Sequence, residues 1–211
     1  MDEFLAGKLK TKSHEKGFFV TLYGINNLGK STQAEKLVSW FNENGVEAEY
    51  LKYPIYALEP SGPIVWNQIK SGKGQTMSEG ELQTWYAFNR RHYEPILKKK
   101  LESGITIISE DYSGTGMAWG MAKGLTRNFV DIINMYLLKE DLAILFQGER
   151  FKESIEENHV HETNSHLIDV VCKKVHSDLG KELGWKPINA NQSKDKVFND
   201  LLAIVRRELK R

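Results

Sequence analysis

Cysteine is nearly missing from this chain: Cys172 stands alone among 211 residues. One cysteine cannot close an internal disulfide, and a cysteine-based metal cage needs several, so a reducing cytoplasm is the default expectation. Proline is scarce, with five residues, and no Pro/Gly-rich linker, repeat or low-complexity tract breaks the sequence. An excess of one charge is also lacking. Lysine and arginine number 29 against 28 aspartates and glutamates, a formal net charge of +1. That balance argues against a general nucleic-acid or membrane-surface binder. No apolar run approaches the ~20 residues that span a bilayer. The opening stretch MDEFLAGKLKTKSHEKG lacks the apolar centre of a signal peptide. What is present is 40% hydrophobic and 27% charged residues, enough at this length for a real core. The reading is a polar tail over residues 1–16 and one domain over residues 17–211.

The pattern along the chain alternates. Residues 18–23, Phe-Phe-Val-Thr-Leu-Tyr, form a short apolar run that ends at Gly24 and reads as a buried strand. A Gly/Asn turn follows, then a helix over 30–44 with Ala34, Leu37, Val38 and Phe41 on one face and Gly45 as its stop. Strands are expected at 46–53, 105–109, 142–146 and 187–190. Helices are expected at 63–71, 127–138, 163–183 and at the C-terminus, where Val197, Leu201, Ile204 and Val205 share a face. Ser78 and Glu81 form a capping box that opens a long helix ending near Gly104. Strands alternating with helices predict an α/β fold, a parallel sheet of about five strands covered on both faces. Ligands of such sheets bind beyond the carboxyl ends of the strands.

The strongest motif lies at the first of those ends. Gly24-Ile25-Asn26-Asn27-Leu28-Gly29-Lys30-Ser31 matches G-x-x-x-x-G-K-[ST], with a strand before it and a helix after. The glycines let the backbone turn its N–H groups inward onto a phosphate, and the helix beginning at Lys30 adds its positive dipole end. Lys30 is a cation for the outer phosphates, and the Ser31 hydroxyl is a hard oxygen ligand for Mg²⁺. The third strand opens onto the same face with Glu110, Asp111 and Tyr112. A Mg-nucleotide site needs an acid there, directly or through water, opposite Ser31. On the long helix, Tyr86 and Arg90 are four apart and share a face. A ring that stacks on a base and a guanidinium that bonds its edge suit a pyrimidine pocket.

These residues resemble the thymidylate kinases, within the nucleoside monophosphate kinases of the P-loop group, from about residue 17 to the C-terminus. The family's Gly-Lys-Ser-Thr stands here as Gly29-Lys30-Ser31-Thr32, and its stretch after the second strand as Tyr53-Pro54-Ile55-Tyr56. Its aromatic and Asn-Arg pair are Tyr86, Asn89 and Arg90, and its Asp-Arg-Tyr is Glu110-Asp111-Tyr112, followed by Thr115 and Ala118-Trp119. Residues 189–193, Asn-Ala-Asn-Gln-Ser, stand where the family has its loop beside adenine.

The resemblance implies a P-loop, nucleoside-kinase-like, three-layer fold with a short lid. It implies Mg-ATP as donor and a deoxynucleoside monophosphate, dTMP foremost, as acceptor, in a cytoplasmic homodimer. Trp66, Ile69, Ile132 and Met135 are interface candidates. By the same resemblance Tyr53, Tyr56, Tyr86, Asn89, Arg90, Asp111, Tyr112, Thr115 and Trp119 face the acceptor. The departures are Asn26 for an acid in the loop, Tyr56 and Asp111 for two arginines, and Gly120 for a polar base-reading residue. Lys52, Arg91, Lys123 and the lid are candidate replacement cations. In the lid segment, Arg150 is the expected contact to the transferred phosphoryl group.

His159, His161, Glu162 and His166 in that segment could bind a metal, but His161 and His166 are five apart, off the four-residue spacing of one helical face. A solvated polar lid is the better reading. Two other functions stay open: a kinase with another acceptor, a different monophosphate or a deoxynucleoside, and a P-loop binder or switch with little kinase activity. Asp111-Tyr112-Ser113-Gly114 matches the D-x-x-G of GTPase switches, but no Asn-Lys-x-Asp follows the fourth strand, so guanine reading is unsupported.

Overall fold

A computed structural model describes residues 17–72, 74–151 and 165–210. Its frame is a five-stranded sheet in the order β2-β3-β1-β4-β5, with every pairing parallel. β1 (Phe19–Tyr23) is buried at all five positions and lies between β3 (Thr106–Glu110) and β4 (Leu142–Gln147). β2 (Ala48–Lys52) and β5 (Lys186–Asn189) form the edges. Side chains of β1 alternate between the two faces, as a strand's period of two requires. Val20 and Leu22 join one apolar cluster with α1 (Lys30–Glu43) and the C-terminal helix α7 (Lys194–Leu209). Phe19 and Tyr23 join the other, with α3 (Glu79–Glu102), α4 (Ser113–Ala122) and α6 (Lys173–Leu183).

The expected helix near 63–71 is α2 (Ser61–Ile69), and the one near 127–138 stops early as α5 (Arg127–Asn134). The capping box of α3 forms: the Glu81 N–H donates to Ser78 Oγ at 3.3 Å and the Ser78 N–H to Glu81 Oε2 at 2.9 Å. Within the described residues, the expected helix at 163–183 is α-helical at 165–166 and then widens into a π-helical stretch over Leu167–Cys172 before α6.

Two differences matter for the site. β3 starts and ends one residue later than expected, which makes Glu110 its last, buried residue. Second, α4 has no counterpart in the sequence reading. Its glycines, at about 1 kcal/mol each relative to alanine, hide the helix, and tertiary packing requires them. A Cβ on Gly114 would stand 2.5 Å from the Trp185 ring, and one on Gly120 3.0 Å from Val130.

Candidate active site

β1, β3 and β4 end side by side, and a cavity of about 730 Å³ opens beyond β1 and β3. Residues 26–32 line one end of it. The loop turns through Asn27 (φ 59°) and Gly29 (φ 76°), both left-handed. Gly24 and Ile25 form its base, where their carbonyls each accept from Lys30 Nζ at 2.9 Å. Lys30 is 4% exposed and lies 3.8 Å from Asp111 Oδ1.

Glu110 faces the loop. One carboxylate oxygen accepts from Tyr50 Oη at 2.6 Å and the other lies 3.1 Å from Lys52 Nζ, while the Ser31 hydroxyl also bonds the group. Burial alone would raise this carboxyl, but Lys30 and Lys52, with the bonds from Ser31 and Tyr50, hold it below its ordinary range. Asp111 goes the other way: burial raises it, with Glu110 adding to the rise, despite Lys30. Asp111 turns the chain sharply after β3 at φ 61° and accepts from Thr115 Oγ1 at 2.9 Å. A non-glycine residue in this region stores strain, a feature that concentrates at functional sites. A serine hydroxyl bonded to a carboxylate held low, next to a glycine loop and one buried lysine, is a donor set that fits a Mg-nucleotide.

The other end of the cavity is lined by Tyr53, Tyr56, Tyr86, Arg90, Thr115 and Trp119. Arg90 is 3% exposed and has no carboxylate partner among the described residues. Its NH2 donates to Asn134 Oδ1 at 2.9 Å and its NH1 to the Tyr112 carbonyl at 3.5 Å, leaving Nε unpartnered. A buried guanidinium held by neutral groups alone keeps a large unmet attraction for an anion or a carbonyl oxygen.

Three expected site residues are placed elsewhere. Asn89 is fully buried and clamps the turn after β2: it accepts from the Ile55 N–H at 2.8 Å and donates to the Ile55 carbonyl and to Ser61 Oγ. Tyr112 lies beneath the cavity, its ring against Phe19 and Tyr53. Arg150 is drawn to Asp169, with its Nε 2.7 Å from Oδ1 and its NH2 3.3 Å from Oδ2, and does not line the cavity. Sequence spacing could not show that an aspartate 19 residues away competes for this guanidinium.

Of the replacement cations, Lys52 lines the cavity. Arg91 bonds the Met135 carbonyl, and Lys123 pairs with Glu79 at 2.8 Å. Among the lining residues that sequence reasoning missed are Lys70 and Gln83. Lys70 Nζ lies 5.9 Å from the Tyr56 ring centroid and 5.8 Å from that of Trp66, within cation–π range. It follows the end of α2, with no motif to mark it. Gln83, one turn before Tyr86 and two before Arg90 on α3, was legible as the same helical face.

From the loop after β5, Ala190, Gln192 and Ser193 reach the cavity. Asn191 instead anchors Glu149, accepting its N–H and donating to its carbonyl. Of the histidine cluster, His159 and His161 lie outside the described residues. Among the described residues no group of three or more metal-ligating side chains occurs, and no helix is long and apolar enough to cross a membrane.

Comparison with known proteins converges on one family. The family model described as Thymidylate kinase matches residues 22–201. A probable thymidylate kinase of Pyrococcus abyssi is 29% identical over 205 residues, covering 92% of this chain and 98% of its own. The thymidylate kinase of Homo sapiens is 26% identical over 191 residues, with 88% of each chain covered. The solved structure of thymidylate kinase from Candida albicans superposes with a TM-score of 0.78 at 18% identity, over 92% of this chain and 94% of that one, a likeness of fold. With the family's phosphate loop at one end of the cavity and an aromatic residue and an arginine at the other, this chain belongs to the thymidylate kinase family.

Proposed function

We propose that this chain transfers the γ-phosphoryl group of ATP to the 5′-phosphate of dTMP, giving dTDP and ADP. The observation that carries the reading is the single cavity joining residues 26–32 to Tyr86 and Arg90. In the transfer, an oxygen of the acceptor phosphate bonds to the γ-phosphorus while the bond from that phosphorus to the β–γ bridging oxygen breaks. No covalent intermediate with the protein is needed; positioning and charge neutralisation suffice. The loop N–H groups hold the donor phosphates. Lys30 exchanges the Gly24 and Ile25 carbonyls for phosphate oxygens. Ser31 and Glu110 would hold Mg²⁺, which would neutralise charge on the phosphates. Tyr86 stacks on the acceptor base and Arg90 donates to its edge. Lys52 and Lys70 supply cations where Tyr56 and Asp111 do not.

A homodimer in a reducing cytoplasm belongs to the same reading. Trp66, Ile132 and Met135, with Phe88 and Ile96 on α3, are exposed apolar residues suited to a second copy, whereas Ile69 is buried beneath Val65 and Leu82. ADP release assayed with ATP and a panel of dTMP, dUMP, dCMP and thymidine tests the function. Turnover with dTMP is expected. Turnover with thymidine but not dTMP would establish a nucleoside kinase instead.

A further inference from the structure

The acceptor end holds a buried hydrogen-bond acceptor with no partner. Gln83 is 1% exposed and lines the cavity, and its Oε1 is unpartnered among the described residues. Its amide orientation is fixed chemically. Nε2 donates to Glu79 Oε1 at 2.8 Å, and a carboxylate only accepts, so the NH₂ group must face Glu79 and the oxygen must face away. Glu79 is itself held by Lys123 Nζ at 2.8 Å and Gln75 Nε2 at 3.3 Å on its other oxygen.

The free oxygen lies beside the Arg90 guanidinium. A methyl group on Gly116 would stand 2.8 Å from Arg90 NH2, 3.2 Å from its NH1 and 3.2 Å from Gln83 Oε1. Donors and an acceptor thus converge on one point beside a residue with no side chain. Across α4, a Cβ on Gly120 would meet Gln83 Cγ at 3.4 Å, so the glycine there leaves the position to Gln83.

We propose that Gln83 Oε1 accepts the N3–H of a thymine or uracil ring while Arg90 donates to the neighbouring O4, which makes Gln83 the residue that selects these bases over cytosine. Thymine and uracil present an acceptor at O4 and a donor at N3, the complement of this pair. Cytosine presents the reverse, an amino donor and a bare N3 acceptor. It would set two donors together at Arg90 and two acceptors together at Gln83, each left unsatisfied in a buried site. The inference rests on reading the cavity as a dTMP site and adds the identity of the base reader.

The test compares kcat/KM of the full chain for dTMP, dCMP and N3-methyl-dTMP, whose ring lacks the donor. Wild type is expected to favour dTMP over both by roughly 100-fold or more. Gln83→Met keeps the volume and removes the acceptor. It should narrow the dTMP to N3-methyl-dTMP ratio by about tenfold or more, with the ATP KM unchanged. Wild type that uses dTMP and N3-methyl-dTMP equally well overturns the inference, whether or not the variant folds, and leaves the functional reading intact. So does a Gln83→Met enzyme with an unchanged ratio. Wild type that phosphorylates neither dTMP nor dUMP removes the functional reading, and this inference with it.

Discussion

The two ends of the cavity are built by different means. At the donor end the phosphate loop is one uninterrupted stretch, residues 26–32, with left-handed turns at Asn27 and Gly29, and Glu110 and the loop after β5 stand beside it. The acceptor end is assembled from the end of β2, the end of α2, the inner face of α3 and the start of α4, and side chains contribute everything. A backbone site demands a fixed motif because N–H groups cannot be exchanged. A side-chain site needs only the right atom in the right place, which any of several elements can supply. This accounts for a loop that keeps its G-x-x-x-x-G-K-S frame beside an acceptor end where Tyr56 and Asp111 stand and where Lys70 and Gln83 enter from positions outside any motif.

The sharpest way to break this comparison is at the loop's lysine. Lys30→Ala is expected to lower kcat by about 10²–10³ while the protein still folds, because a cation is lost where transition-state charge gathers. Circular dichroism and steady-state rates read the two effects separately, and near-normal turnover would end the kinase reading. Next is Glu110→Gln, which keeps the shape and removes the charge held low by Lys30, Lys52, Ser31 and Tyr50. Turnover should fall by roughly 10² and require more Mg²⁺. A larger loss from Asp111→Asn would move the metal ligand one residue along.

The acceptor end should respond more gently and selectively. Tyr86→Ala is expected to raise the dTMP KM about tenfold and leave the ATP KM unchanged, in line with ~1–3 kcal/mol for base–aromatic stacking. Equal changes in both constants would mean that the two ends do not act separately.

The smallest effect concerns stability where the ends meet. Asp111 has a raised folded-state carboxyl, so the folded protein binds this proton more tightly than the unfolded chain. The resulting penalty is absent in acid and grows as pH rises from the ordinary carboxylate range through the raised folded-state value. Asp111→Asn, which tolerates the φ of 61°, should raise the neutral-pH melting midpoint by about 2–4 °C. The gain should vanish below the carboxylate range. A lower midpoint at neutral pH would show that the 3.8 Å pairing with Lys30 outweighs burial.

Local and contiguous features were legible in the sequence. The five strands, the face of α1, the capping box of α3 and the loop from Gly24 to Thr32 depend on neighbours a few residues apart, and periodicity and motif spacing record such neighbours. Tyr86 and Arg90 were legible on the same ground, one helical turn apart. What only the tertiary structure decided involves partners far apart in the chain. No helix is expected at α4 from the sequence, and its glycines are explained only when Trp185, Arg90 and Val130 are seen to fill the space their side chains would need. Arg150 read as a lid cation until Asp169 took its guanidinium. Asn89 read as an acceptor contact until Ile55 and Ser61 claimed its amide. The common reason is competition: a polar or small residue has several possible partners, and the fold alone determines which of them arrives within hydrogen-bonding distance.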